Sequence, residues 1–397
     1  MASQDKFTSR SPLLRLPCEL KRYVMANLNI TSLYALITTC KEFYDINKSS
    51  KGFILRAITT NALGDALPWA MALHAARRAD WGTTLPRHSR GELLDQIHKF
   101  GRRYLNRNNK TLIYPEDFSF SLASELISFH SIVEKFSLKF MEETTSDMYF
   151  HYFRGHPIPK PTNTETGRVQ LTFYCMEISR ELLPFYVTQP DELEDNERPW
   201  QMLWHYFAPW ENRIAEAISC LFLDKLIDNA VSRGLIMMGG SAYYEWYTVL
   251  GLRGFDKLAD DEFVSRNAAN IEAGQKFFRC VCYFALGESG FTWLRPVGGN
   301  LMVRSFNMDH LLARFPQEEN GSCDNWYFTI ISEQHNPQYA GFQPLPDETV
   351  WWDRARINAV FPGILPSIAE IQDMAEGNVY IQDFFEPEVD YCKEIGY

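Results

Sequence analysis

The sequence predicts a mainly α-helical protein: an N-terminal module of three helices, residues 11–55, followed by a large helical domain, residues 56–397, with an irregular last part. Three observations carry this. Apolar residues near the start recur every third or fourth position, the stretch FSLASELISFHSIVEKFSLKFMEE keeps the same period throughout, and beyond Gly290 tryptophan, glycine, proline and asparagine displace the helical pattern.

Leu16, Leu20, Val24 and Leu28 stand four apart, with Tyr23 and Asn27 one step aside, so they form one stripe on a first helix. Pro17 sits in the first turn, where the missing N–H has no intrahelical partner to lose. Asn29, Thr31 and Ser32 are good N-cap types and mark a stop followed by a fresh start. Leu33, Leu36, Ile37 and Cys40 then make a second apolar face. Phe43 and Tyr44 lead into a third segment that continues through KGFILRAITTNAL. A unit of roughly 40 residues lacks the volume to bury such faces alone. Either the rest of the chain covers them, or a partner docks against them.

The spacing LPCEL, then Val24, Leu28, Leu33 and Leu36, and finally Cys40-Lys41-Glu42-Phe43-Tyr44, resembles the F-box, the three-helix module that docks on the Skp adaptor of cullin-type ubiquitin ligases. Position by position, the resemblance implies that Leu16, Pro17, Leu20, Leu28, Leu33, Leu36 and Cys40 shape the adaptor-binding face or its immediate support. Cys18 stands where the family most often has a proline or another small residue, and Phe43 where a tryptophan is common. Neither changes size or polarity enough to break the module. The later phrases WHYFAPWEN, LGLRGF and VWWDRARI are similar to segments of large fungal F-box proteins and carry no known chemistry.

Helices are expected next at GDALPWAMALHAARRADW, closed by Gly82, and at SRGELLDQIHKFGRRYL, with Leu93, Leu94, Ile97 and Phe100 on one side. In the most periodic stretch, Leu122, Leu126, Phe129, Val133, Phe136 and Phe140 supply a continuous apolar face. RGHPIPKPTNTETG, rich in proline, threonine and glycine, reads as a loop over 154–167, and an acidic connection is expected over 188–199. Between them VQLTFYCMEISRELLPFY resumes a helix. From Trp200 to Gly234 the pattern gives one helix bent near Pro209, or two meeting there. DDEFVSRNAANIEAGQKFFRCVCYFALGES is the last strong helix, followed by irregular packing with short strands near NWYFTII.

The net charge of −11 disfavours general nucleic-acid binding. Charge is uneven: residues 51–110 hold eleven Lys or Arg against four Asp or Glu, and 315–397 hold three against fifteen, so the two regions can attract each other or the first can receive an acidic partner. The eight cysteines include no CxxC pair and read as buried thiols. No secretory leader is recognised and no apolar run reaches the length of a membrane span, so the expectation is a cytoplasmic or nuclear protein with no membrane partner.

Catalytic chemistry finds no local support. Asp260, Asp261 and Glu262 are adjacent, whereas metal-binding carboxylates on a helix need spacing of three or four; a helix N-terminus favouring anions is the simpler account. Ser241 lacks the second glycine of a nucleophile elbow, and His205 and Glu211 are six apart. No phosphate loop or dinucleotide fingerprint occurs, and no internal repeat is found. Trp200 and Trp204 read as a core edge. Trp351 and Trp352, taken as extended chain, place one ring inward and one outward, the outward one a candidate substrate contact.

The expectation is therefore no enzyme, no metal and no cofactor. The chain is read as the substrate-recruiting subunit of an SCF ligase that binds the Skp adaptor, through it a cullin, and an unidentified protein substrate. The alternatives are a helical enzyme of unrecognised type and an adaptor-binding protein acting outside a cullin ligase.

Overall fold

The computed structural model describes residues 11–79, 90–107, 114–115, 118–145, 158–182, 203, 206–223, 226, 232, 250–267, 313, 315–316, 321–326, 349–363, 365–367 and 369–370. Among them the fold is mainly α-helical, with no strand. In chain order the helices used below are α1 (Cys18–Ala26), α2 (Ile30–Thr39), α3 (Lys41–Leu63), α4 (Leu67–Arg78), α5 (Arg90–Phe100), α6 (Phe120–Thr144), α7 (Asn163–Leu182), α8 (Pro209–Ala217) and α9 (Arg354–Val360). The chain divides into two compact units: Met1–Met71 with Leu112–Ser131, and Ala72–Thr111 with Ile132–Tyr397.

The first unit extends past residue 55 because α3 does not stop there. Non-helical angles at Ser50 (φ −129°, ψ 20°) kink the helix, which then resumes to Leu63. Phe43 and Ile46 before the kink, and Ile54, Leu55 and Ile58 after it, are buried with Met25 and Leu33. Each large apolar side chain taken out of water contributes about 1.5–3 kcal/mol. The unit also draws on a distant part of the chain. Arg56 lies over the Tyr114 ring at 4.7 Å, and the rings of Tyr34 and Phe120 are 5.7 Å apart.

In the second unit the apolar face of α6 behaves as its period predicts, with Val133, Phe136 and Phe140 buried. Phe222 meets Phe136 at 5.7 Å and Phe140 at 6.1 Å, edge to face, and Trp351 stands 6.3 Å from Phe140. On α5, Ile97 and Phe100 are buried as expected. The bend expected near Pro209 is a helix start: Ala208 is extended and Pro209 occupies the first turn of α8.

Three expectations change. The loop expected over 154–167 ends earlier, because α7 begins at Asn163 and carries Gly167 within it. Thr162 and Glu165 explain the start: Glu165 N–H donates to Thr162 Oγ1 (3.1 Å) and Thr162 N–H donates to Glu165 Oε2 (2.8 Å), a reciprocal cap. Next, the strands expected near NWYFTII are absent at Asn325 and Trp326, which belong to a helical turn over 321–326; the rest of that phrase lies outside the described residues. Finally, the cysteines are not uniformly buried. Cys175 and Cys323 are, but Cys18 is exposed and Cys40 half-buried, because they flank short helices at the edge of a small module. The acidic connection at 188–199 lies outside the described residues.

The residues of VWWDRARI build a buried ionic knot. Arg356 donates from Nε to Glu165 Oε1 and from Nη2 to Glu165 Oε2, both at 2.7 Å. Arg168 donates to Trp351 O (2.8 Å) and Asp353 Oδ1 (3.2 Å), and Asp353 N–H donates to Glu165 Oε1 (2.7 Å). Two cations and two anions, all buried, therefore satisfy one another. Arg356 also lies 5.4 Å from the ring centres of both Trp351 and Trp352. The knot fastens the start of α7 to the start of α9.

Candidate functional site

The N-terminal module is held from within by an unusual choice of residue. Lys21 on α1 is buried at 5% exposure. Its ammonium donates to Leu14 O at 2.8 Å and to the Glu42 carboxylate, tying the turn Pro12–Arg15, α1 and the first turn of α3 together. The Asn29 side chain accepts from Ser32 N–H at 2.8 Å and caps α2, as its residue type predicts. Asn61 of α3 donates to Ala26 O at 3.2 Å, closing the C-terminal end of α1. These bonds fix which side of α1 faces inward: Lys21, Met25 and Ala26 are buried.

The outer side of α1 carries two open apolar side chains beside Glu19 and Arg22. Leu20 is 49% exposed and Tyr23 67% exposed. Of the other residues that the F-box resemblance singles out, Pro17 is exposed, and Leu16, Leu28, Leu36 and Cys40 are half-buried. Leu33 is fully buried, so its contribution is support from below. The reason is that the apolar stripe of α2 packs inward against α3, leaving Tyr34 rather than Leu33 toward water. Tyr34 and Tyr44 add two more exposed aromatic surfaces. Spacing does not single out Tyr34, because it stands one position off the expected α2 stripe.

Trp351 and Trp352 do not form a substrate contact of the kind the extended reading implies. Both are completely buried. The chain turns here, with Trp352 N–H donating to Thr349 O at 2.9 Å, so the two rings do not alternate between faces. Their rings are 6.0 Å apart and edge to face, and Trp352 stacks on Phe361 at 5.9 Å. They are core.

Asp260 and Glu211 hold structural positions. Asp260 Oδ1 accepts from Glu262 N–H (3.0 Å) and Phe263 N–H (3.1 Å), the cap of a helix start. Glu211 is buried; it accepts from Ala208 N–H at 2.8 Å and pairs with Arg107. Burial pushes the Cys175 thiol well above its ordinary range, with the Glu211 charge adding to the effect. Ser241, His205, Trp200 and Trp204 lie outside the described residues. Among the described residues no group of three or more His, Cys, Asp or Glu is placed to hold a metal, and no helix is long and apolar enough to cross a membrane.

Comparison with protein-family models, with curated proteins and with solved structures returns no significant match for this chain.

Proposed function

We propose that the chain recruits substrates to a cullin-type ubiquitin ligase, its N-terminal module docking on the Skp adaptor through α1 and the flanking aromatic residues. One observation supports this above the rest. On α1 the module buries a lysine and leaves a leucine in water, side by side. A monomer gains nothing from exposing Leu20 and Tyr23 together, whereas a partner helix laid across them recovers their burial. Pro17, Leu20 and Tyr23 form the face, Leu16, Leu28, Leu36 and Cys40 its edges, and Leu33 its floor.

On this reading the chain performs no covalent step. It raises the local concentration of a bound protein near the charged conjugating enzyme, and works in the cytoplasm or nucleus where that machinery operates. The test is co-purification of the full chain with purified Skp adaptor and cullin. A ternary complex that is lost in the Leu20→Asp/Leu36→Asp variant supports the reading. Capture of the adaptor without the cullin replaces it with an adaptor-binding role outside the ligase, and failure to capture the adaptor overturns it.

A further inference from the structure

The first unit contains a groove of about 640 Å³ between α1 and the kink of α3, within the size range of ligand sites. Its lining includes Glu19, Arg22 and Tyr23 from α1, and Lys48, Lys51 and Phe53 from α3. Three cations against one carboxylate leave a surplus of two positive charges. Among the described residues none of these three cations forms an ion pair or a charged hydrogen bond, and the Nε of Arg22 is buried with no hydrogen-bond partner. Tyr23 and Phe53, 67% and 60% exposed, supply two open aromatic surfaces beside the charges. The break at Ser50, itself in the lining, brings the start of the second half of α3 to the groove, where the peptide dipoles add partial positive charge.

We propose that this groove binds a short acidic peptide segment of a partner protein, with carboxylates on Arg22, Lys48 and Lys51 and an aromatic or aliphatic side chain against Tyr23 and Phe53. Charge selects a carboxylate-bearing occupant, and the exposed rings select one that also carries an apolar side chain. A nucleic acid fits less well. The whole chain carries a charge of −11, which repels an extended polyanion, whereas a short peptide feels chiefly the charges within a Debye length of about 8 Å. Tyr23 borders both surfaces, but the inference is tested apart from adaptor docking, because Leu20 does not line the groove and Lys48, Lys51 and Phe53 of α3 do not belong to the docking face.

The experiment is fluorescence anisotropy on the full chain with a labelled peptide of sequence Glu-Glu-Phe-Glu-Glu-Leu and its glutamine analogue, Gln-Gln-Phe-Gln-Gln-Leu. The acidic peptide binds at least about tenfold more tightly than the analogue, and weakens as salt rises. Lys48→Glu/Lys51→Glu reduces that affinity at least about tenfold, while its helical circular dichroism stays that of the wild type because both lysines are exposed. Phe53→Ala weakens binding severalfold, and Leu20→Asp leaves it unchanged. No binding at millimolar peptide, equal binding of the two peptides, or an undiminished affinity in the double-lysine variant each overturns the proposal. So does an oligonucleotide of equal charge that displaces the peptide as well as unlabelled peptide does.

Discussion

Leu20 and Lys21 are neighbours on α1 with inverted environments: the leucine side chain stands half in water, and the lysine is buried against Leu14 O and Glu42. Helix geometry alone separates them by about 100°, so adjacent residues belong to different faces. What is unusual is the assignment of polarity. The module is pinned by charge inside and displays apolar surface outside, an arrangement suited to a unit that completes its burial on a second protein.

Removing the inner pin loosens the module while keeping its outer face. Lys21→Met retains the aliphatic stem but loses the bonds to Leu14 O and Glu42. Because the Glu42 side chain is 49% exposed and rehydrates, the expected loss is about 1–2 kcal/mol, seen as a lower urea midpoint for the N-terminal unit. Glu42→Gln keeps an acceptor for the ammonium but leaves a buried charge without its counter-charge, and so costs at least as much.

The buried knot at Glu165 and Arg356 has more at stake. Arg356→Met strands a carboxylate that accepts two guanidinium nitrogens, and destabilises the second unit by about 3–5 kcal/mol. Adding Glu165→Gln recovers part of this loss, because the amide carries no charge to strand. The two effects therefore couple rather than add in a double-mutant cycle. Intrinsic tryptophan fluorescence reports it, since Arg356 lies over both Trp351 and Trp352.

Thiol labelling checks the burial pattern residue by residue. In the folded chain Cys18 alkylates readily, whereas Cys175 and Cys323 react only after denaturant is added. Burial raises both inner thiols, with Glu211 adding at Cys175 and Asp324 at Cys323. The folded state thus holds protons that the unfolded chain releases near the ordinary thiol pKa of about 8.5. Stability consequently falls as pH climbs through and above that value, and Cys175→Ser or Cys323→Ser flattens the decline measured by urea midpoints between neutral and alkaline pH.

Local patterns carried most of the helices. The α6 face from Leu122 to Phe140 and the Asn29 cap were legible because each depends on residues within a turn or two of one another. The start of α7 is legible in principle: Thr162 and Glu165 have the spacing of a reciprocal cap, a signal masked by the loop-like composition of the neighbouring prolines and Gly167. Glu165 and Arg356 are 191 positions apart, and no periodicity connects them. Trp351 and Trp352 depart from the inward–outward expectation because alternation holds only for extended chain, and this chain turns. At the candidate site only Leu20 and Val24 of the expected four-residue stripe fall within α1, which starts after Pro17 and ends before Asn27, and which residue of α2 reaches water depends on the packing of α2 against α3, a tertiary fact.

The most direct measurement is isothermal titration of purified Skp adaptor into the full chain, wild type beside Leu20→Asp. Leu20 is exposed, so the substitution leaves the helical spectrum and the urea midpoint unchanged. Saturable heat is expected for the wild type and at least about a hundredfold weaker binding for the variant, because a charge then sits at the centre of an apolar contact. Wild-type chain that gives no binding heat, or a variant that binds as tightly as the wild type, contradicts adaptor docking through α1.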